Sequence, residues 1–166
     1  MPTPYRDGPP LAHTGGFGEP TCSACHGGRD VNTGSGTVGI DGFPSSYRTD
    51  STYTIVVSIV QADMVLSGFE LAIRDSLGNG LGTLGTMNPA VVVSTSEAGV
   101  EYAHHSRQGS THAYPDSARW SLRWTAPGYA AGPAVLNLAL NAANGDNSEF
   151  GDDIYVSEQV THPAHD

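Results

Sequence analysis

The sequence predicts an all-β protein, an antiparallel β-sandwich preceded by an N-terminal arm. Three observations predict it. Apolar residues alternate with neighbours on the other face over 53–59 and again over 69–74, the period-2 pattern of strands with one buried side. Stretches of this kind, about six to nine residues long, are separated by Gly, Pro and Asn clusters. No segment shows a convincing helical period, and no internal repeat emerges.

Taken in order, residues 1–35 form the arm, 36–157 the sandwich and 158–166 a polar tail. The arm is rich in Pro and Gly and lacks apolar periodicity. Thr37-Val38-Gly39-Ile40 is a short strand closed by Phe43-Pro44. Tyr53, Ile55, Val57 and Ile59 alternate with Thr54, Val56 and Ser58, and Phe69, Leu71 and Ile73 alternate with Glu70, Ala72 and Arg74. Gly78-Asn79-Gly80 then breaks the chain. Further strands are expected at 90–94, 99–104, 118–124, 133–141 and 152–157. Trp120, Leu122 and Trp124 share one face, which reads as core packing, and Pro127-Gly128 ends that run.

Composition narrows the function. The 166 residues suit one domain with a sizeable core. There is no lysine, and seven arginines face 17 acidic residues, for a formal charge of -10. Nucleic acid is excluded as a partner because phosphate recognition needs a basic footprint. A basic protein partner is favoured instead. No run approaches about 18 apolar residues, so no transmembrane segment is expected. No secretory signal is read after Met1-Pro2-Thr3-Pro4.

The chemistry concentrates in Thr21-Cys22-Ser23-Ala24-Cys25-His26-Gly27-Gly28. Two cysteines three positions apart, followed at once by histidine, form a c-type haem attachment motif. Each thiol can add across one vinyl group of a porphyrin, and the next residue then falls under the iron as proximal ligand. Cys22 and Cys25 are the only cysteines, so a small disulfide, a thioredoxin-like pair or half a zinc site are the competing readings. The chain lacks the βαβ setting of the second and any further Cys pair for the third. One covalent haem c is therefore expected. Residues 27–36 continue as loop, so no long helix follows the motif. Attachment takes place outside the cytoplasm, so a processed, exported chain is expected.

The second axial ligand decides between electron transfer and ligand binding. Candidates are His13, His104, His105, His112, His162, His165, Met64 and Met87, with the N-terminal amine a remote option. His13 is expected at the surface of the arm, and His162 and His165 exposed in the tail. Met64 and Met87 read as ordinary packing. His104 and His105 end an expected strand, where a side chain can project beyond the rim of the sandwich. Asp146, Glu149, Asp152 and Asp153 read as a solvated acidic loop, because their spacing does not match an EF-hand.

Several segments together resemble the Reeler-like, "choice-of-anchor" bacterial domains that carry a haem motif. They are Gly15-Gly16-Phe17-Gly18-Glu19-Pro20-Thr21-Cys22 with Cys25-His26-Gly27-Gly28, then Ser67-Gly68-Phe69-Glu70-Leu71 and Tyr102-Ala103-His104-His105-Ser106. Trp120 to Pro127, Asn141-Ala142-Ala143-Asn144-Gly145-Asp146 and Gly151-Asp152-Asp153-Ile154-Tyr155 complete the set. The resemblance implies an immunoglobulin-like sandwich, exported to the periplasm or cell surface and often membrane-associated. It places the family's histidine on His105, with His104 as an added neighbour and Ser106 where Thr is usual. The expected function is outer-sphere electron transfer by a monohaem cytochrome with His26 and His105 on the iron. Its expected partner is a membrane-bound or extracytoplasmic electron-transfer complex. An adhesion or interaction module in which haem or metal is secondary is the alternative. A five-coordinate gas sensor or enzyme is the weaker third, since no nucleophile elbow, His-Glu-x-x-His or phosphate loop is present.

Overall fold

The computed structural model describes residues 5–165. Ten strands follow the arm: β1 (Thr37–Asp41), β2 (Ser46–Tyr47), β3 (Thr52–Val60), β4 (Leu66–Arg74), β5 (Thr83–Thr86), β6 (Val91–Thr95), β7 (Glu101–His105), β8 (Ser117–Thr125), β9 (Ala134–Ala143) and β10 (Asp153–Pro163). They build a four-stranded sheet in the order β1-β3-β8-β5 and a six-stranded sheet in the order β2-β10-β9-β4-β7-β6. The pairings are antiparallel except for a two-residue parallel contact between β2 and β10. The all-β sandwich expected from periodicity is what the chain forms.

The core lies between the sheets. Ile55, Val57 and Ile59 of β3 and Trp120, Leu122 and Trp124 of β8 face Phe69, Leu71 and Ile73 of β4 and Leu136, Leu138 and Leu140 of β9. Trp124 sits among Phe43, Tyr47 and Tyr53 with ring centroids 5.6, 5.6 and 5.8 Å away. Both indole N–H groups are satisfied, Trp120 donating to the Gly109 carbonyl and Trp124 to that of Leu81. Burying each of these side chains contributes about 1.5–3 kcal/mol.

One boundary and two short strands differ from the sequence expectation. β10 continues through 158–163, where a polar tail is expected, because its backbone pairs with Ala134–Asn137 of β9 and its end with β2. β2 is too short, and β5 too short and Gly-interrupted, to show a period, and only their pairing reveals them.

The larger surprise is the second face of β4. Glu70, Ala72 and Arg74 occupy the face that alternation assigns to water, yet all are buried. The arm covers them. Leu11 and Ala12 pack on Ala72, Val100 and Tyr102, and the His13 backbone N–H donates to Glu70 Oε1 at 2.7 Å. Gly16 runs so close to β9 that a Cβ would strike the Asn137 amide. The clamp is ionic. Arg74 donates to Glu19 Oε1 at 2.5 Å, to Thr14 Oγ1 at 2.8 Å and to Asn137 Oδ1 at 3.2 Å, with the Phe17 ring 4.7 Å from its guanidinium carbon. The Tyr102 hydroxyl also donates to Glu19.

Removing Glu19 would leave a buried guanidinium without its counter-charge. Glu19→Ala is expected to cost about 3 kcal/mol, read from urea denaturation, and Glu19→Gln less. A loss below about 1 kcal/mol would mean that the clamp does not hold the arm.

Candidate haem site

At one end of this covered face the arm and the sheet enclose a pocket open at its mouth. Its wall includes Cys22, Cys25 and His26 from the arm, His105 from the end of β7, and His13. Pro9, Pro10, Leu66, Phe69 and Ala143 supply apolar surface. The motif forms a single 3₁₀ turn over Cys22–Ala24, capped by the Thr21 hydroxyl, which accepts from the Ser23 N–H. The His26 N–H then donates to the Cys22 carbonyl at 2.9 Å, folding the motif back on itself. Gly27 pairs with Phe150 and ties this turn to the loop before β10.

His26 is held by one ring nitrogen. Its Nδ1 lies 2.6 Å from Asp152 Oδ2, and Asn141 Nδ2 lies 3.2 Å from the same nitrogen. Among the described residues Nε2 has no hydrogen-bond partner. Asp152 is buried, with a side chain 1% exposed, and accepts the Asn144 backbone N–H. Asp153 is buried beside it and pairs with Arg29. These two residues therefore depart from the solvated acidic loop expected of them, whereas Asp146 and Glu149 are exposed. β10 begins at Asp153, which draws the pair under the arm.

His105 fills a gap in its own sheet. Pairing of β4 with β7 covers Glu70–His104 and Leu71–Ala103 and stops there. Beyond it the His105 ring takes the place of a strand backbone: Phe69 N–H donates to Nδ1 at 3.1 Å, and the Phe69 carbonyl lies 3.3 Å from the same atom. Gly68 makes the room, since a Cβ there would sit 2.5 Å from Cε1. Nε2 donates to the Tyr5 carbonyl at 3.1 Å. Burial holds the imidazole below its ordinary value, reinforced by repulsion from His104 and His26, so it is neutral near pH 7.

The other candidates are placed as follows. His104 turns away, with Nδ1 on the His105 carbonyl and Nε2 on Ser94, and does not line the pocket. His13 is half-buried on the pocket wall with Nδ1 donating to the Leu11 carbonyl, not at the surface as expected. Met64 is in the core, while Met87 is exposed. His112 bonds the Tyr114 carbonyl away from the site, and His162 and His165 are exposed. The N-terminal amine lies outside the described residues.

Three buried polar atoms on the wall, Arg6 Nε, Ser67 Oγ and Asn141 Oδ1, have no partner among the described residues. Unpaired polar atoms lining an apolar pocket call for an occupant that is mostly apolar with polar edges. Two free thiols, an open imidazole nitrogen and a second imidazole on the same wall suit a macrocycle with a metal at its centre. Among the described residues no three His, Cys, Asp or Glu side chains converge on a point that would hold a bare metal ion. The residues therefore fit a haem, whereas they do not offer the donor set of a structural zinc.

No family model matches the sequence, and no curated protein matches it. Among solved structures the chain is similar to the Reelin-N domain of F-spondin, with a TM-score of 0.54, 15% identity, and 87% of this chain and 96% of that chain covered. It is also similar to the human F-spondin reeler domain, with a TM-score of 0.52, 16% identity, and 82% and 95% covered. The likeness shows the fold, a Reeler-like β-sandwich. No helix among the described residues is long and apolar enough to cross a membrane.

Glu70, beneath the arm, carries the pH dependence of this region. Burial first, and then repulsion from Glu19, pushes its carboxyl from the ordinary 4.5 up to about 7, against the bonds from His13 and Ala12. Between those values the folded protein holds a proton that the unfolded chain has released. Stability is therefore fully present below about pH 4.5 and falls as pH rises toward about 7. Glu70→Gln is expected to remove that fall, so that its urea midpoint overtakes the wild type's between about pH 5 and about pH 8. Parallel pH profiles for the two proteins would contradict a buried, protonated Glu70.

Proposed function

We propose that this chain is an exported monohaem c-type cytochrome that passes electrons by outer-sphere transfer, as a subunit or docked partner of a larger extracytoplasmic redox complex. One observation carries the proposal: the motif residues Cys22, Cys25 and His26 and the distant His105 line a single pocket. When bound, the haem supplies a one-electron iron couple.

The chain's own residues do the rest. Cys22 and Cys25 would hold the ring edge through thioether bonds, each S–H adding across a vinyl group. Burial, with repulsion from Glu70, pushes the Cys22 thiol up to about 12, so it stays protonated and unreactive at neutral pH once the arm is down. His26 would present Nε2 to the iron while Asp152 holds Nδ1. His105 would present its own Nε2 in the tautomer that carries the proton on Nδ1 and donates it to the Phe69 carbonyl, leaving the Tyr5 carbonyl free. Arg6 is the guanidinium on the wall and would answer the ring's carboxylates. His26 and His105 together would hold the iron and leave it closed to substrates. A surface of formal charge -10 would steer a basic partner to the exposed edge.

Absorption spectra of the oxidised and dithionite-reduced protein test this reading. A c-type pyridine haemochrome, low-spin in both states and silent to carbon monoxide, is expected. His105→Ala should open the iron to carbon monoxide, and His13→Ala should not. The reverse pair of results would move the ligand to His13. A colourless protein, produced with haem-maturation machinery present, would sink the cytochrome and leave the interaction module.

A further inference from the structure

Asp152 is the most constrained charge on the pocket wall. Its carboxylate is almost fully enclosed, its Oδ2 is 2.6 Å from His26 Nδ1, and the one other side chain on that oxygen is the Asn141 amide at 3.4 Å. Oδ1 takes the Asn144 backbone N–H at 3.2 Å. The nearby guanidinium of Arg29 is engaged with Asp153 instead. So the negative charge of Asp152 meets no cation among the described residues other than what His26 can offer through Nδ1–H. A short bond from a ring N–H to a carboxylate, away from water, is strong and pulls the proton toward oxygen. The ring left behind is richer in electrons, and its opposite nitrogen is a better donor. An electron-rich axial ligand favours ferric over ferrous iron.

We infer that Asp152 is the positioning residue that fixes the His26 ring and lowers the reduction potential of the haem by giving that ring imidazolate character. The inference rests on the cytochrome reading above. His105 has no such partner: its Nδ1 meets the backbone of Phe69. The two faces of the iron are therefore unequal, with the arm side the stronger donor. Asn141 keeps Asp152 and His26 in register from β9, and Gly151, at φ +84°, turns the chain so that Asp152 points inward before β10 begins.

The test is a redox titration of the haem-loaded protein, wild type against Asp152→Asn and Asp152→Glu. Asparagine preserves shape and removes charge, so the midpoint should rise by at least a tenfold change in the reduction equilibrium, about 59 mV for one electron. Glutamate should stay nearer the wild type. Should Asp152→Asn not accumulate, the ferric wild type is read by electron paramagnetic resonance. A compressed g-spread marks an imidazolate-like ligand, and the wider spread of two neutral imidazoles overturns the inference. Unchanged midpoints in a variant that keeps its covalent haem overturn it too. A wild type without covalent haem overturns the cytochrome reading first, and this inference with it.

Discussion

The ion pair between Glu19 and Arg74 is the interaction on which the rest of this structure depends. A sandwich needs one buried face per sheet, and the core between β3, β8, β4 and β9 supplies it. Nothing in that arrangement requires the outer face of the six-stranded sheet to be covered. Arg74 makes it so. A guanidinium on that face, with Thr14, Glu19 and Asn137 on its donors, ties a Pro- and Gly-rich arm to β4 and β9. The pair is buried, so its value lies less in net stability than in the high cost of breaking it.

Holding the arm there has a functional consequence. Cys22, Cys25 and His26 follow Glu19 within a few residues, so the clamp delivers the attachment motif to the end of the sheet where β7 terminates at His105. The scaffold side of the pocket is rigid strand; the arm side closes over it. Glu70 is the protonatable group under the arm, and Tyr102 donates to the arm's Glu19. Asp152 places a fixed negative charge behind His26.

Much of this was legible in the sequence. Period-2 alternation and the spacing of turn residues located eight of the strands, and the tryptophans of β8 sit in the core as their spacing indicates. The Cys-x-x-Cys-His motif drew attention to the arm, and the resemblance around Tyr102 placed the family's histidine on His105; motif and histidine line one pocket. What periodicity cannot convey is a face buried by a distant segment. Glu70 and Arg74 alternate with apolar residues as solvent-facing positions do, and only the arm's docking removes them from water. The same limit hid Asp152, which stands in a run of Asn, Gly and Asp that has the composition of a loop. His13 was misplaced because its neighbours are those of an exposed arm.

The central claim is that the arm and the sheet together build a site for one covalently bound haem. The intact mass of the protein, produced alongside haem-maturation machinery and measured after denaturation, tests it most directly. The account predicts the polypeptide plus one haem, with the added mass on the peptide spanning Cys22–His26. The bare polypeptide mass, or a haem that leaves on denaturation, would contradict it.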